Sequence, residues 1–145
     1  MAETLGTLSD KLTIVKLKQW HTEDGVRLES LTNQEAQLRH EIDEFIKAAV
    51  AGSIPRERLT FAANKVYKKE GNEIRSFDGS LGEIFSALAD VNCKLWHVQE
   101  TVYDFEAIPV EEKDSVVKQL AILNLERNQC IDQMDLTFVS LLDPA

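Results

Sequence analysis

A seam of mostly apolar residues near the C-terminal end constrains the fold more than any other feature of the sequence. Between positions 109 and 142, residues spaced three or four positions apart mark one side of a helix: Val116, Leu120, Leu123, Arg127, Ile131, Met134, Phe138 and Leu141. This spacing is typical of an α-helix that packs against other helices. We predict one helix over 109–142, on the order of 45–50 Å long at 1.5 Å per residue. That length exceeds what a compact bundle of this size needs, so its end is expected to pack on a second subunit in a homodimer.

The rest of the chain shows the helical period in four shorter stretches. We predict a first helix over 5–24 that stops at Gly25, a second that opens at the capping box Thr32-x-x-Glu35 and stops at Gly52, a third over 55–70, and a fourth that opens at a second capping box, Ser80-x-x-Glu83. The prediction is therefore a single all-α domain over 1–145, a helical bundle of about five helices. Its parts are a hairpin over 5–52, a connector helix over 55–70 and a hairpin over 80–142.

A Trp-His pair occurs twice, 76 positions apart, and takes in both tryptophans and two of the three histidines. Aligning Trp20-His21 with Trp96-His97 also matches apolar positions upstream, Leu12 with Leu88 and Val15 with Val91. We infer that the two hairpins are related copies packed about a pseudo-two-fold axis. Both Trp rings are expected to cover the core, which would turn both His side chains toward the polar side.

Composition excludes several classes of protein. The net charge of −9 makes nucleic acid and an anionic membrane surface unlikely partners by default. We expect no signal peptide and no membrane span, because the first residues are polar and no long apolar run follows. Cys93 and Cys130 fall within helical patterns and form no Cys-x-x-Cys motif, so we expect reduced thiols and a cytoplasmic protein.

Each Trp-His pair is followed by a carboxylate three residues after its histidine. His21 with Asp24, and His97 with Glu100, could therefore form a His-carboxylate unit that holds a metal or orients a base. The same spacing is common in pairs that simply lie on a solvated helix face, and this second interpretation is the more frequent one.

Arg127 is the sharpest anomaly, because it takes a seam position that the first hairpin fills with Leu38. A buried charge needs a partner or a path to water. The candidate partners are Glu126, Asp132 and Asp135 on its own helix, and His97 or Glu100 on the preceding one. An inward Arg127 could fix the helix register or bind a carboxylate or a phosphate.

Two further charge patterns bear on function. Glu41-x-x-Glu44 places two carboxylates on one helix face, which suits Mg²⁺ or Mn²⁺. The segment 56–75 has six basic and three acidic residues in an otherwise acidic chain. It could meet the phosphates of a nucleotide or another phosphorylated small molecule, or an acidic patch on a partner subunit.

Two runs in the second hairpin carry a family resemblance: Leu95-Trp96-His97-Val98-Gln99-Glu100 and Arg127-Asn128-Gln129-Cys130-Ile131-Asp132. Over roughly residues 85–138 the chain resembles an uncharacterised bacterial all-helical family, a domain of unknown function. The resemblance implies no activity. It implies that one set of residues lies together as a candidate ligand-binding site: His97, Glu100, Arg127, Asn128 and Asp132.

The chain also looks like the all-α nucleoside triphosphate pyrophosphohydrolases of the MazG and dimeric dUTPase type. Those enzymes hold Mg²⁺ with Glu-x-x-Glu on one helix and Glu-x-x-Asp on a later one. Glu41 and Glu44 fit the first element, but in the second Ser80 stands in place of Glu and Glu83 in place of Asp. The resemblance implies Glu41, Glu44 and Glu83 as metal ligands.

Two functions are therefore predicted as alternatives. The first is a non-enzymatic binding or assembly module, in which His21, Asp24 and the residues around Arg127 serve structure or recognition. The second is a Mg²⁺-dependent nucleotide hydrolase.

Overall fold

The computed structural model describes residues 2–61 and 77–143. Within these ranges the chain forms four α-helices and two short 3₁₀ turns: α1 (Leu5–His21), α2 (Gly25–Val50), α3 (Leu81–Tyr103), α4 (Val110–Leu142), and the turns Arg56–Arg58 and Phe105–Ala107. The all-α prediction is thus confirmed for this part of the chain. Of the predicted connector helix over 55–70, only the beginning is described, as the 3₁₀ turn, and residues 62–70 lie outside the described residues.

The first two helices meet at a shorter turn than the sequence predicted. Helix α1 ends at His21, and α2 begins at Gly25 because the Asp24 carboxylate accepts a hydrogen bond from the Val26 amide at 3.1 Å. The predicted start at Thr32 and the predicted stop at Gly25 are both wrong. Thr32 lies within α2 and satisfies its hydroxyl by donating to the Leu28 carbonyl at 2.8 Å.

The second pair of helices begins where predicted. The Ser80 hydroxyl accepts a hydrogen bond from the Glu83 amide at 3.2 Å and caps α3. Pro109 immediately precedes α4. Proline is well tolerated at a helix start, because backbone N–H groups there have no partner within the helix and proline has no N–H to lose. Helix α4 has 33 residues and runs about 50 Å at 1.5 Å per residue.

Helix α1 is the central element and contacts all three other helices. It runs parallel to α3, since Asp10 contacts Asn92 and His21 contacts Trp96 further along. It runs antiparallel to α4, since Gly6 contacts Asp135 whereas Asp10 contacts Arg127. The α1–α2 and α3–α4 turns therefore lie at the same end of the bundle, which we call the turn end (residues 20–26 and 103–110).

Two hydrophobic clusters hold the helices together. The larger lies mainly between α3 and α4, and its fully buried members include Leu88, Val91, Cys130 and Met134. The C-terminal half of α2 reaches this cluster, and the Phe45 ring lies 6.2 Å from that of Phe138. The smaller cluster joins α1 to α2 through Leu8, Val15 and Leu38.

The predicted core role of the tryptophans holds for neither in full. Trp20 is 86% exposed and lies one residue before the end of α1, so its ring is mostly in solvent rather than over the core. Trp96 is half-buried. The last predicted seam residue of α4, Leu141, is also exposed.

Helices α1 and α4 approach most closely at Gly6. A Cβ atom at this position would lie 2.6 Å from the Ile131 carbonyl oxygen and 2.8 Å from an Asp135 carboxylate oxygen. The crossing therefore depends on the missing side chain. In the part of the chain described here, none of the helices combines the length and the apolar character needed to cross a membrane.

Candidate functional site

The charged seam residue Arg127 has a partner on α1 that the sequence analysis did not consider. Its Nε donates to Asp10 Oδ1 at 2.8 Å, and its Nη2 donates to Asp10 Oδ2 at 2.5 Å. Asp10 is 5% exposed, whereas about a third of the Arg127 side chain reaches solvent. The hydrogen bonds to Asp10 raise the pKa of Arg127 further above its usual value, against the effect of burial. Arg127 therefore remains charged at any physiological pH.

Asn92 completes this buried polar cluster from α3. It is fully buried, and its amide nitrogen donates to Asp10 Oδ1 at 2.9 Å and to the Thr13 hydroxyl at 2.8 Å. Helices α1, α3 and α4 are thus joined through the single carboxylate of Asp10. The sequence held a signal for this contact, because Gly6, Asp10 and Thr13 are spaced four and three positions apart on one side of α1.

A second buried carboxylate lies nearer the N-terminus of α1. Asp135 is 4% exposed and accepts a hydrogen bond from the Gly6 amide at 2.7 Å. Burial raises the pKa of Asp135 to about 6, and the neighbouring charge of Asp132 adds to this, whereas hydrogen bonds from Gly6 and Thr4 oppose it. Asp135 was a predicted partner of Arg127, but it binds the first turn of α1 instead.

The two Trp-His motifs come together in space, where the histidine of the first contacts the tryptophan of the second. The His21 ring stacks on the Trp96 ring, with 4.7 Å between centroids and 23° between planes. The His21 Nδ1–H donates to the Leu17 carbonyl at 2.8 Å, and Nε2 lies 3.9 Å from a Glu100 carboxylate oxygen. The contacts of His21 are thus with Leu17, Trp96 and Glu100, whereas the Asp24 carboxylate caps α2.

His97 and Glu100 line a groove between the end of α3 and the start of α4, of about 400 Å³. Its other lining residues are Thr101, Asp104, Ala107, Ile108, Pro109, Glu112 and Val116. We call this the turn-end groove. It lies more than two helical turns along α4 from Arg127, because Val116 and Arg127 are 11 residues apart, about 16 Å at 1.5 Å per residue.

The residues grouped by the first resemblance thus lie at two places. His97 and Glu100 belong to the turn-end groove, and Arg127 belongs to the buried cluster with Asp10. Asn128 and Asp132 lie half-buried on α4, within a turn or two of Arg127.

The carboxylates implied by the second resemblance do not form a metal centre. Among residues 2–61 and 77–143, no three His, Cys, Asp or Glu side chains are grouped so that they could hold a metal ion. Glu41 instead accepts a hydrogen bond from Gln37 at 2.9 Å, and Glu44 and Glu83 are exposed. The implied Mg²⁺ ligand set is therefore not assembled in this part of the chain.

Arg56 is the described member of the basic segment with the most contacts. It donates to the carbonyls of Val139 and Leu142 at 3.4 and 2.9 Å and pairs with Asp143. It thus caps the C-terminus of α4, where the helix dipole also stabilises a positive charge. Of the other basic members of the segment that were expected to meet phosphates, Arg58 is exposed, and four lie outside the described residues: Lys65, Lys68, Lys69 and Arg75.

Comparisons with models of known protein families, with curated proteins and with solved structures find no match to this chain.

Proposed function

We propose that this chain is a non-enzymatic assembly module that binds a protein partner at the turn end. The carrying observation is the exposure of large apolar side chains there: Trp20 is 86% exposed, Tyr103 81%, Val110 81% and Val26 78%. Single exposed apolar residues are ordinary, but several at one end of a small bundle are typical of an interaction surface. Tyrosine and tryptophan are also the residue types that most often dominate binding energy at interfaces.

The polar contacts support the same proposal. Asp10, Asn92 and Arg127 bind one another and hold three helices in register. Asp24 caps a helix, and Asp135 binds the first turn of α1. These side chains are engaged in holding the fold, which leaves the surface as the place for recognition.

We also propose that α1–α2 and α3–α4 are related hairpins of a duplicated bundle, with a homodimer along α4 as one form of assembly. In favour of the duplication, the matched positions Val15 and Val91 are both buried. In favour of a contact along α4, Leu136 and Leu141 are exposed on its C-terminal half. Cys93 is a free thiol, which suits the cytoplasmic location that we propose.

Site-specific photocrosslinking in cells tests the assembly function. A photoreactive phenylalanine analogue is placed at position 20 or 103, with exposed position 34 on α2 as the control. We expect a discrete adduct from positions 20 and 103 and none from position 34, with the captured protein identified by mass spectrometry. Equal crosslinking at all three positions, or none at 20 and 103, would overturn the proposal.

A further inference from the structure

The turn-end groove combines an apolar floor with an acidic rim. Its floor includes Ile108, which is 7% exposed, and the half-buried Val116, while the exposed Ala107 and Pro109 add to its apolar lining. Its rim carries three carboxylates, from Glu100, Asp104 and Glu112. Tyr103 and Val110 adjoin groove residues in the chain and extend the apolar surface beyond the rim.

These rim carboxylates have no Lys or Arg partner among the described residues. The ionic neighbour of Glu100 is His21 at 3.9 Å, and no described Lys or Arg forms an ion pair with Glu100, Asp104 or Glu112. The nearest cation in sequence, Lys113, lies 4.6 Å above the Phe105 ring. A cation brought by a partner would therefore meet carboxylates that no described Lys or Arg neutralises.

The charge of the whole turn end points the same way. The turn end and the helix turns that flank it, residues 18–28 and 97–115, carry eight acidic and three basic residues. Much of the net charge of −9 therefore lies at this end. An acidic partner would be repelled, whereas a basic partner would be steered toward the surface. The groove floor adds a requirement for apolar side chains, since a purely hydrophilic cation would leave that floor exposed to water.

Resting on the proposed docking function, we infer that the partner presents a basic amphipathic segment. Its apolar side chains lie on Ile108 and Val116, and its Lys or Arg side chains pair with Glu100, Asp104 and Glu112. This mode is the docking of an amphipathic helix in a groove, with the charge pattern setting specificity.

A labelled model peptide provides the test. The probe is a fluorescein-labelled helical peptide with leucine on one face and lysine on the other, and its counterpart carries glutamate in place of lysine. Binding is measured by fluorescence anisotropy at physiological salt. Two variants are compared, each with three carboxylates removed: Glu100→Gln/Asp104→Asn/Glu112→Gln at the rim, and Glu41→Gln/Asp43→Asn/Glu44→Gln on α2 as the control of equal charge.

We expect the lysine peptide to bind, and the rim variant to weaken that binding about tenfold, as three partly exposed ion pairs would. The α2 variant should retain most of the affinity, and Tyr103→Ala should weaken binding without changing its salt dependence. Circular dichroism melts confirm that each variant is folded.

The outcomes separate this inference from the function on which it rests. Equal losses in the rim and α2 variants would show only general attraction to an acidic protein, and equal binding of the glutamate peptide would show docking without charge selection. Either result overturns the inference. A protein or a second copy of the chain crosslinked at positions 20 and 103 through a segment without basic residues would also overturn it, while leaving the docking function standing.

Discussion

The buried carboxylate of Asp10 binds side chains from two other helices. One carboxylate accepts hydrogen bonds from Arg127 on α4 and from Asn92 on α3, at 2.5–2.9 Å. The net stability from such a buried pair is small, because removing both charges from water offsets much of their attraction. Its consequence is orientation, since a slip of α1 along α4 would separate Asp10 from Arg127, and a slip along α3 would break the hydrogen bond from Asn92.

Breaking this pair from one side should therefore cost more than replacing it. We expect Arg127→Met to lower the free energy of unfolding by about 2–3 kcal/mol, somewhat below the usual figure because Arg127 is partly exposed. The double variant Asp10→Asn/Arg127→Met should recover part of that loss, since it leaves no unpaired charge. Urea denaturation measures both. Exposed ion pairs contribute up to about 1 kcal/mol. If Arg127→Met lowers the free energy of unfolding by less than about 1 kcal/mol, the pair behaves as an exposed one and this account is contradicted.

The raised pKa of Asp135 predicts a pH dependence of stability. The folded chain holds this proton up to a pH of about 6, whereas the unfolded chain releases it near the ordinary value of 3.8. Stability from this group is therefore fully present below about pH 4 and declines as the pH rises to about 6. The loss amounts to roughly 3 kcal/mol for a shift of about two units.

Asp135→Asn should remove this decline, because its amide oxygen can still accept from the Gly6 amide but does not ionise. The measurement is the difference in unfolding free energy between variant and wild type at pH 4.5 and pH 7. We expect the unfolding free energy of the variant to rise relative to that of the wild type as the pH increases from 4.5 to 7. Parallel pH profiles for the two proteins would show that Asp135 does not titrate in this range.

At the scale of elements, the crossing of α1 over α4 organises the bundle. The contact at Gly6 brings the two backbones together, because a methyl group there would lie 2.6 Å from the Ile131 carbonyl. The same approach allows the Gly6 amide to reach Asp135. A close crossing therefore positions both buried carboxylates.

Gly6→Ala should destabilise the protein by about 1–3 kcal/mol, the usual range for overpacking. Alanine gains up to about 1 kcal/mol in helix propensity, but the steric term dominates because the atom in the way belongs to the backbone. Gly25→Ala is the matched control, since nothing lies within 4 Å of a Cβ atom there. Thermal melts should show a loss for the first variant and little change or a gain for the second.

At the scale of the molecule, the two ends of the bundle differ. At the end opposite the turns, Arg56 caps α4. The turn end leaves Trp20 and Tyr103 in water and concentrates acidic residues. The four most exposed large apolar side chains among the described residues, Trp20, Val26, Tyr103 and Val110, thus lie at the turn end.

The assembly function predicts that Mg²⁺ with nucleotides leaves the melting temperature unchanged. A ligand at a hundred times its dissociation constant would stabilise by about 2.7 kcal/mol, several degrees for a chain of this size. A shift that needs both Mg²⁺ and a nucleotide would instead favour the hydrolase alternative. Repeating the melt with Glu41→Gln would then show whether the carboxylates implied by that resemblance take part.

Much of the helical architecture could be predicted from the sequence. The starts of α3 and α4 follow from Ser80 and Pro109, and the apolar seam residues of α4 from Leu123 to Phe138 are buried. The start of α2 was placed too late because two capping signals, Asp24 and Thr32, compete within eight residues. Either could cap a helix, and the tight turn after His21 selected the first.

Local structure follows from the sequence: the helical class, most helix ends and the buried stripe of α4. Periodicity and capping act over a few residues, so they can be read directly from the chain. The packing of the helices, in contrast, is what brings Arg127 to Asp10, stacks His21 on Trp96 and leaves Trp20 exposed. These outcomes depend on how helices rotate and cross, and they join residues as far as 117 positions apart. A single sequence does not state that geometry.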